Sequence, residues 1–229
     1  MPKINLSIII PVLNEAKNLR NTLKNVHLSD SEELIVVDGG STDATIAIAR
    51  EFTDNVFTTR TGRATVMNFG AGRAQGDILL FLHADCILPE SAFTLIREVL
   101  GNGNIAAGAF TLRIDDARTR FRIIETFANL RAGLTSYMYG DQGMFLRRET
   151  FKNIGGFADI PLMEDIEISM RLKKVGKIVF IRQPIKASSR RWTEEGVVYT
   201  TLRDWMNAFL YSFLKVSPGK LIKYYRNVR

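Results

Sequence analysis

The feature that most constrains the fold is a pair of short apolar runs, residues 4–12 and 33–38, which are rich in Ile, Val and Leu and bounded by polar clusters. Such runs are typical of parallel strands buried on both faces of a sheet. A helical pattern of apolar residues follows each run, and the second one, residues 44–52, begins after a Ser-Thr-Asp cluster that suits a helix N-terminus. We therefore expect repeated strand and helix units.

More strand and helix patterns follow along the chain. Strands are predicted at 55–58, 77–82, 105–114, 140–147, 177–181 and 184–188, and helices at 61–74, 89–100, 118–134 and 163–175. The two types alternate regularly up to Gly101 and less regularly after it. This order predicts an α/β fold with a mostly parallel central sheet flanked by helices, a mixed-sheet second half and C-terminal helices.

The length of 229 residues suffices for one sizeable core, and no linker or internal repeat divides the chain. We expect a single domain with a first half at about 1–101, a second half at about 102–192 and a helical, basic extension at about 193–229. The segment Gly70–Gly76 is glycine-rich, but it ends a predicted helix instead of opening one, so it favours close packing over dinucleotide binding.

The formal net charge of +7 favours anionic partners, and much of it lies in the C-terminal extension. Between residues 197 and 229 the basic residues are Arg203, Lys215, Lys220, Lys223, Arg226 and Arg229, against the single acidic residue Asp204. Together with nearby aromatic residues they suit a peripheral contact with an anionic membrane surface, a homodimer contact, or a helix packed on the core with a solvated tail. No aromatic platform or docking helix for nucleic acid accompanies them, so nucleic-acid binding is not expected.

Targeting and membrane-spanning segments are not expected. Pro11 interrupts the N-terminal apolar run, and the apolar candidate at 197–216 contains charged residues. The single cysteine, Cys86, fits a reducing compartment. We predict a cytoplasmic protein, with a peripheral position at the inner face of the membrane as an open alternative.

Polar residues follow the predicted strands where ligands of open α/β sheets bind. Asp38 ends the second strand and could accept hydrogen bonds from a base or a ribose. His83 and Asp85 follow the strand at 77–82, and on an extended chain they would point the same way and could face one divalent cation or a phosphate. For His83, a satisfied core position is the alternative.

Three further groups could contribute chemistry. Glu164 and Asp165 open a predicted helix, where either the helix dipole or a general-base role would explain an acid. Arg191 and Trp192 combine a guanidinium suited to a pyrophosphate with an indole that can stack on a sugar. Arg63 and Asn68 could reach an anion from the face of their helix, with a solvated surface role as the alternative.

In this order the motifs resemble those of family 2 glycosyltransferases, and the chain looks closest to short, soluble bacterial members. The similar segments are 11–15, 37–43, 63–71, 83–85, 155–157, 164–165 and 191–192. The resemblance implies the GT-A fold, an inverting transfer of one sugar, and a nucleotide-sugar donor of the UDP or GDP type. It does not identify the acceptor.

The resemblance also implies roles for particular residues. The donor would be bound by Pro11, Asn14, Glu15, Asp38, Arg63, Asn68, Ala84 and Asp85, and the diphosphate or acceptor by Gly156, Arg191 and Trp192. Asp85, with His83 as a further candidate, would meet a Mn²⁺ or Mg²⁺ ion. Asp165, beside Glu164, would act as the general base.

Two residues depart from the family pattern. His83 stands where the first acid of the D-x-D motif would be, which bears on metal binding, and Ser188 stands where the Q-x-x-R-W motif has Gln. Because the complete second motif is similar to that of polymerising members, its absence favours transfer of a single sugar. Two alternatives stay open: a nucleotide-binding or membrane-surface adaptor without catalysis, and a nucleotidyltransferase, although the latter would need a glycine-rich basic loop after the first strand.

Overall fold

The computed structural model describes residues 5–224, with an eight-stranded sheet flanked by helices. The strands are β1 (Leu6–Val12), β2 (Glu32–Asp38), β3 (Val56–Thr58), β4 (Ile78–Phe81), β5 (Cys86–Ile87), β6 (Ile105–Ile114), β7 (Met144–Arg147) and β8 (Lys177–Ala187). The predicted start of the first strand at residue 4 and the basic residues Arg226 and Arg229 lie outside the described residues.

The helices mostly connect these strands. They are α1 (Ala16–Lys24), α2 (Thr45–Arg50), α3 (Arg63–Arg73), α4 (Ala92–Gly101), α5 (Thr119–Thr135), α6 (Arg148–Asn153), α7 (Glu164–Leu172), α8 (Arg190–Glu195), α9 (Val197–Ser212) and α10 (Pro218–Leu221). Short 3₁₀ turns occur at Gly140–Gln142 and Ile222–Tyr224. The sequence pattern does not predict β5 and α6, which are too short to show a period.

The strand order is β3-β2-β1-β4-β7-β6-β8-β5. The first four of these strands pair in parallel, whereas β7 is antiparallel to both β4 and β6, and β5 is antiparallel to β8. The predicted parallel first half and mixed second half are therefore confirmed. Every residue of β2 is buried, as expected for a strand with helices on both faces.

Two predicted strand boundaries were wrong. The strands expected at 177–181 and 184–188 are one strand, β8, because a register shift against β6 lets the chain pass Pro184 without losing the pairing. The strand expected at 140–147 begins only at Met144, because residues 140–142 form a 3₁₀ turn and Gly143 has a φ of 62°.

Helix α3 packs unusually close to the sheet. A Cβ added at Gly70 would lie 2.5 Å from Cγ2 of Ile9 in β1, so a side chain is not accommodated there. The opposite holds at Gly72, where no heavy atom lies within 4 Å of the added Cβ. The packing role expected for this glycine-rich segment thus belongs to Gly70 and to Gly76, where an added Cβ would lie 2.7 Å from the backbone N of Ser7.

The adjacent helices α5 and α9 expose apolar side chains on their outer faces. These are Ile123, Phe127, Leu130 and Leu134 on α5, and Val198, Tyr199, Leu202, Met206 and Phe209 on α9. The helices meet at Phe127 and Trp205, whose ring centroids are 6.0 Å apart. Over residues 5–224, the structure contains no helix with both the length and the apolar character needed to span a bilayer.

Candidate active site

A cavity of about 260 Å³ opens at the carboxyl ends of β1 and β4, between the two halves of the sheet. The predicted site residues that line it are Pro11, Glu15, Arg63, His83, Ala84, Asp85, Asp165, Arg191 and Trp192. Asn14, Asp38, Asn68, Gly156 and Glu164 are not among its lining residues.

Asp38 and Asn14 hold the loop after β2, which contributes Gly39 to the cavity wall. The fully buried Asp38 accepts hydrogen bonds at Oδ2 from the backbone N–H groups of Gly40, 2.8 Å away, and Ser41, 2.9 Å away. Its Oδ1 is buried and has no hydrogen-bond partner in the described structure. Asn14 ties the β1 loop to the β2 loop, because its Oδ1 accepts from the N–H of Thr42 at 2.9 Å.

Asn68 and Gly156 form a backbone clamp away from the cavity. The side chain of Asn68 donates to the carbonyl of Phe157 at 2.8 Å and accepts from its N–H at 2.9 Å. Gly156 has a φ of 70°, and an added Cβ would lie 2.7 Å from Oδ1 of Asn68. In this structure both residues position the loop before α7, with no direct contact to the cavity.

Glu15 and Arg190 connect the β1 loop to α8 across the cavity. Nη2 of Arg190 lies 3.2 Å from each carboxylate oxygen of Glu15. Glu15 also accepts from Nδ2 of Asn18 at 2.8 Å. Arg190, which the sequence could not distinguish from a surface arginine, is therefore part of the cavity wall.

The loop that carries His83 and Asp85 is a turn, and the expectation of an extended chain was wrong. The strand ends at Phe81, and the N–H of Cys86 returns to the carbonyl of His83 at 3.1 Å. The carbonyl of Asp85 accepts from the N–H of Ser188 at 3.0 Å, which fixes the loop to the end of β8. Burial, with the nearby positive charges of Arg63 and Arg191, lowers the pKa of His83 to about 3. The imidazole is therefore neutral.

Asp165, at the start of α7, is held by two backbone groups. Its Oδ2 accepts from the N–H of Gly140 at 3.0 Å, and its Oδ1 from the N–H of Ile166 at 2.8 Å. Burial and the neighbouring charge of Glu164 raise the pKa of Asp165 to about 7. Glu164 itself is 2% exposed and pairs with Arg63 at 3.2 Å, so its place is behind the cavity wall.

Asp141 is a cavity residue that the sequence pattern did not predict. It precedes β7 in the 3₁₀ turn, inside a segment predicted as a strand, so its direction could not be inferred. Burial raises the pKa of Asp141, the charge of Asp85 adds to this effect, and Arg191 and Arg131 oppose it. The carboxylates of Asp85 and Asp141 therefore lie close enough in the cavity for their charges to interact.

Arg191 and Trp192 lie at the α8 side of the cavity. Arg191 pairs with Asp204 of α9 at 2.8 Å, and its guanidinium carbon lies 5.3 Å from the Trp192 ring centroid. Trp192 is 7% exposed and packs edge-on against Phe121. The indole is thus mainly a core group that reaches the cavity at its edge.

Asp85 and Asp141 are the residues that could hold a divalent cation. No group of three or more His, Cys, Asp or Glu side chains arranged as a metal cage occurs among the described residues. Mg²⁺ in nucleotide enzymes usually binds one or two carboxylates and completes its shell with waters and substrate phosphates. The carboxylates of Asp85 and Asp141 fit this kind of site.

Comparison with known proteins connects this geometry to a family. The family model described as "Glycosyl transferase family 2" matches residues 7–157. A "PGL/p-HBAD biosynthesis glycosyltransferase" of Mycobacterium tuberculosis is 43% identical over 165 residues, which cover 66% of this chain and 62% of that protein. The chain spans about half to three fifths of the length of the curated relatives it matches.

Solved structures show the same fold. A mannosyltransferase, PcManGT from Pyrobaculum calidifontis in complex with GDP-Man and Mn²⁺, superposes with a TM-score of 0.71 at 18% identity, covering 96% of this chain and 67% of that one. Glucosyl-3-phosphoglycerate synthase from Mycobacterium tuberculosis, in complex with Mn²⁺, UDP-Glc and phosphoglyceric acid, has a TM-score of 0.60 at 22% identity, covering 90% and 79%. The fold is therefore GT-A, as predicted.

Proposed function

The chain belongs to glycosyl transferase family 2, and from that premise we propose that it transfers one sugar from a nucleoside diphosphate donor to a hydroxyl group with inversion at the anomeric carbon. The observation that carries this proposal is that Asp85 and Asp165, which are far apart in the sequence, line one cavity at the carboxyl ends of parallel strands. Such a transfer needs a group that acts on the donor, here Asp85, and a group that can accept the proton of the acceptor hydroxyl, here Asp165.

The donor nucleoside would bind at the β1 and β2 end of the cavity. Asp38 does not line the cavity in the free protein, and its orphaned Oδ1 would become an acceptor for an N–H group of the base once the loop at Gly39 moves aside; uracil and guanine both carry such a group. The structural neighbours include complexes with UDP-Glc and GDP-Man, which supports a donor of this class. Arg63 lines the cavity nearby and is positioned for an anionic part of the donor.

Mn²⁺ or Mg²⁺ bound by Asp85, with Asp141 as the second carboxylate, would neutralise charge on the departing diphosphate. The presence of Mn²⁺ in the PcManGT complex supports this assignment. His83 lines the same cavity and is neutral, so it adds no positive charge beside Asp85 and Asp141.

Asp165 would act as the general base. It takes the proton of the acceptor hydroxyl, the acceptor oxygen forms its bond to the anomeric carbon, and the bond from that carbon to the diphosphate oxygen breaks with its electron pair going to the diphosphate. A carboxylate whose pKa is about 7 is a far stronger base than an ordinary aspartate. Attack from the face opposite the leaving group gives the inverted product.

The test is calorimetric titration of nucleoside diphosphates and nucleotide sugars, with and without Mn²⁺, into the wild-type protein and Asp85→Ala. Asp54→Ala is the matched control, because Asp54 is exposed and does not line the cavity. We expect metal-dependent binding of one nucleotide that is lost in Asp85→Ala and retained in the control. If no nucleotide binds under either condition, the donor site is wrong and the adaptor alternative takes its place.

A second proposal concerns the outer surface of α5 and α9. The predicted contact with a membrane or a second copy stays a prediction, and the exposed apolar side chains of these helices support it. We favour an anionic bilayer as the partner, because the exposed Lys215, Lys220 and Lys223 lie in the segment after α9 and would meet acidic lipid headgroups.

A further inference from the structure

Arg131 of α5 reaches the cavity between two aromatic rings. Its guanidinium carbon lies 4.1 Å from the centroid of Tyr139 and 5.5 Å from that of Trp205, and all three residues line the cavity. Stacking of this kind holds the plane of the guanidinium.

The hydrogen bonds of this guanidinium are incomplete. Its Nε and Nη1 are buried and donate to no partner in the part of the chain that the structure describes. The other cavity arginines differ, because Arg63 pairs with Glu164, Arg190 with Glu15, and Arg191 with Asp204. A buried charged donor without a partner is costly, so the working complex should supply one.

The position of Arg131 separates it from the nucleoside end of the cavity. Asp38 ends β2, whereas Arg131 belongs to the helix that packs on β6, and its neighbour Tyr139 leads into β7. Between β2 and β6 lie β1, β4 and β7, so the two ends are about four strand spacings, or roughly 19 Å, apart. An anion beside Arg131 is therefore expected on the acceptor side of Asp85 and Asp165.

We infer that Arg131 binds an anionic group of the acceptor, a phosphate or a carboxylate, so that the substrate class is a hydroxyl compound with an anionic substituent. This inference rests on the proposed function, because it assigns the acceptor of the same cavity.

Two sources of such an anion are compatible with the surroundings. Trp205 also contacts Phe127, which is half exposed on the outer apolar face of α5 and α9. An amphiphile could place its anionic end at Arg131 and its apolar part on this face, whereas a water-soluble acceptor would use Arg131 alone. The shared chemistry is the anionic group.

The experiment uses the full chain saturated with Mg²⁺ and with the nucleoside diphosphate identified by calorimetry. Glycerol 3-phosphate, glycerate and uncharged glycerol are titrated into the wild type, Arg131→Met and Arg120→Met. Arg120→Met is the control, because it removes the same charge from the same helix. Arg120 is exposed and does not line the cavity. We expect at least one of the two anions to bind the wild type and the control, at least tenfold weaker binding to Arg131→Met, and no binding of glycerol.

The outcomes separate this inference from the proposed function. If both anions fail to bind, or bind Arg131→Met as well as the wild type, the inference is wrong although nucleotide binding stands. If Arg131→Met instead weakens nucleoside diphosphate binding, the guanidinium belongs to the donor diphosphate and the inference is also wrong. Loss of nucleotide binding in every protein would contradict the proposed function itself.

Folding and ligand source are controlled separately. Thermal unfolding of each variant checks the fold. If Arg131→Met does not fold, Arg131→Lys takes its place, because lysine keeps the charge but lacks the planar fork of arginine. It should lower the affinity for the anion about threefold or more. Decyl phosphate below its micelle concentration distinguishes the sources. If decyl phosphate binds more tightly than glycerol 3-phosphate, and Phe127→Ser removes the difference, the acceptor is an amphiphile. If the two bind equally, the acceptor is a soluble anion. In both cases the binding must depend on Arg131.

Discussion

The backbone N–H of Gly140 lies 3.0 Å from Oδ2 of Asp165 and joins the turn before β7 to the start of α7. The carboxylate therefore has a fixed direction although it stands at a helix end, and its other oxygen is held by the N–H of Ile166. If Asp165 is the general base, Asp165→Asn should reduce nucleoside diphosphate release from the nucleotide sugar by about 10²–10⁴-fold. Calorimetry should show unchanged donor binding, whereas a parallel loss of binding would point to a structural role.

The rate should depend on the protonation of Asp165. Burial and the charge of Glu164 raise its pKa to about 7, and only the deprotonated form can accept a proton. As the pH falls through the folded pKa, the carboxylate gains a proton and the rate decreases, so nucleoside diphosphate release should be roughly tenfold slower at pH 6 than at pH 8. A rate that is flat from pH 5 to pH 8, in protein shown by circular dichroism to stay folded, would exclude Asp165 as the base.

Gly140 should tolerate no side chain. An added Cβ would lie 2.5 Å from Cε1 and 2.6 Å from Nε2 of His83, so either the ring or the turn has to move. We expect Gly140→Ala to lower the free energy of unfolding by about 1–3 kcal/mol. The change should also shift the midpoint of the pH–rate profile upward, because a displaced N–H no longer stabilises the Asp165 carboxylate.

Gly72→Ala is the matched control for that substitution. Gly72 lies inside α3 and has no heavy atom within 4 Å of the added Cβ. Alanine should therefore raise the free energy of unfolding by about 0.5–1 kcal/mol through helix propensity. Urea denaturation of both variants measures the contrast, and equal effects would mean that the close approach at Gly140 is absent in solution.

Asp38 should discriminate among nucleosides. Its buried Oδ1 lacks a partner, and in Asp38→Asn an amide N–H₂ placed there would oppose an N–H of the base. We expect the affinity for the nucleoside diphosphate to fall by about 10–100-fold, while the weaker affinity for inorganic pyrophosphate stays the same. Equal losses for both ligands in competition titrations would show that Asp38 supports the loop at Gly40 and Ser41 instead of contacting the base.

The outer face of α5 and α9 should bind anionic vesicles. Leu202 and Phe209 are 63% and 51% exposed on α9, so the double change Leu202→Glu and Phe209→Glu should abolish sedimentation with phosphatidylglycerol vesicles. Leu28→Glu is the control, because Leu28 is exposed on the loop between α1 and β2. Wild-type protein that stays in the supernatant, or that forms a dimer disrupted by the double change, would contradict the bilayer proposal.

Much of the fold was predictable because the signal is local. Buried parallel strands such as β1 and β2 appear as uninterrupted apolar runs, and helices such as α1 and α4 have a clear apolar period. The boundaries of β7 and β8 were not predictable, since the turn at 140–142 and the bulge near Pro184 depend on the pairing with distant strands. Sequence patterns carry little information on such long-range pairing.

The candidate site was predictable to a similar degree. Asp85 and Asp165 were selected because each follows a recognisable strand or opens a helix, and both line the cavity. Asp141 and Arg131 were missed because their directions are set by the 3₁₀ turn and by stacking on Trp205, which is distant in sequence. Asn68 looked like a polar group on a helix face, and its backbone partner Phe157 could only be seen in three dimensions.

The edge of the sheet at β5 has a consequence for synthesis on the ribosome. Cys86 pairs with Ala187, and the carbonyl of Asp85 accepts from the N–H of Ser188 at 3.0 Å. Ala187 and Ser188 therefore leave the ribosome about a hundred residues after the loop at 83–86 whose position they fix. The strands β1 to β4 can pair in parallel on a nascent chain, but the loop of Asp85 acquires its final position only once β8 has been made. A ribosome-bound chain stalled before residue 177 should therefore hold a partly formed sheet without a competent donor site.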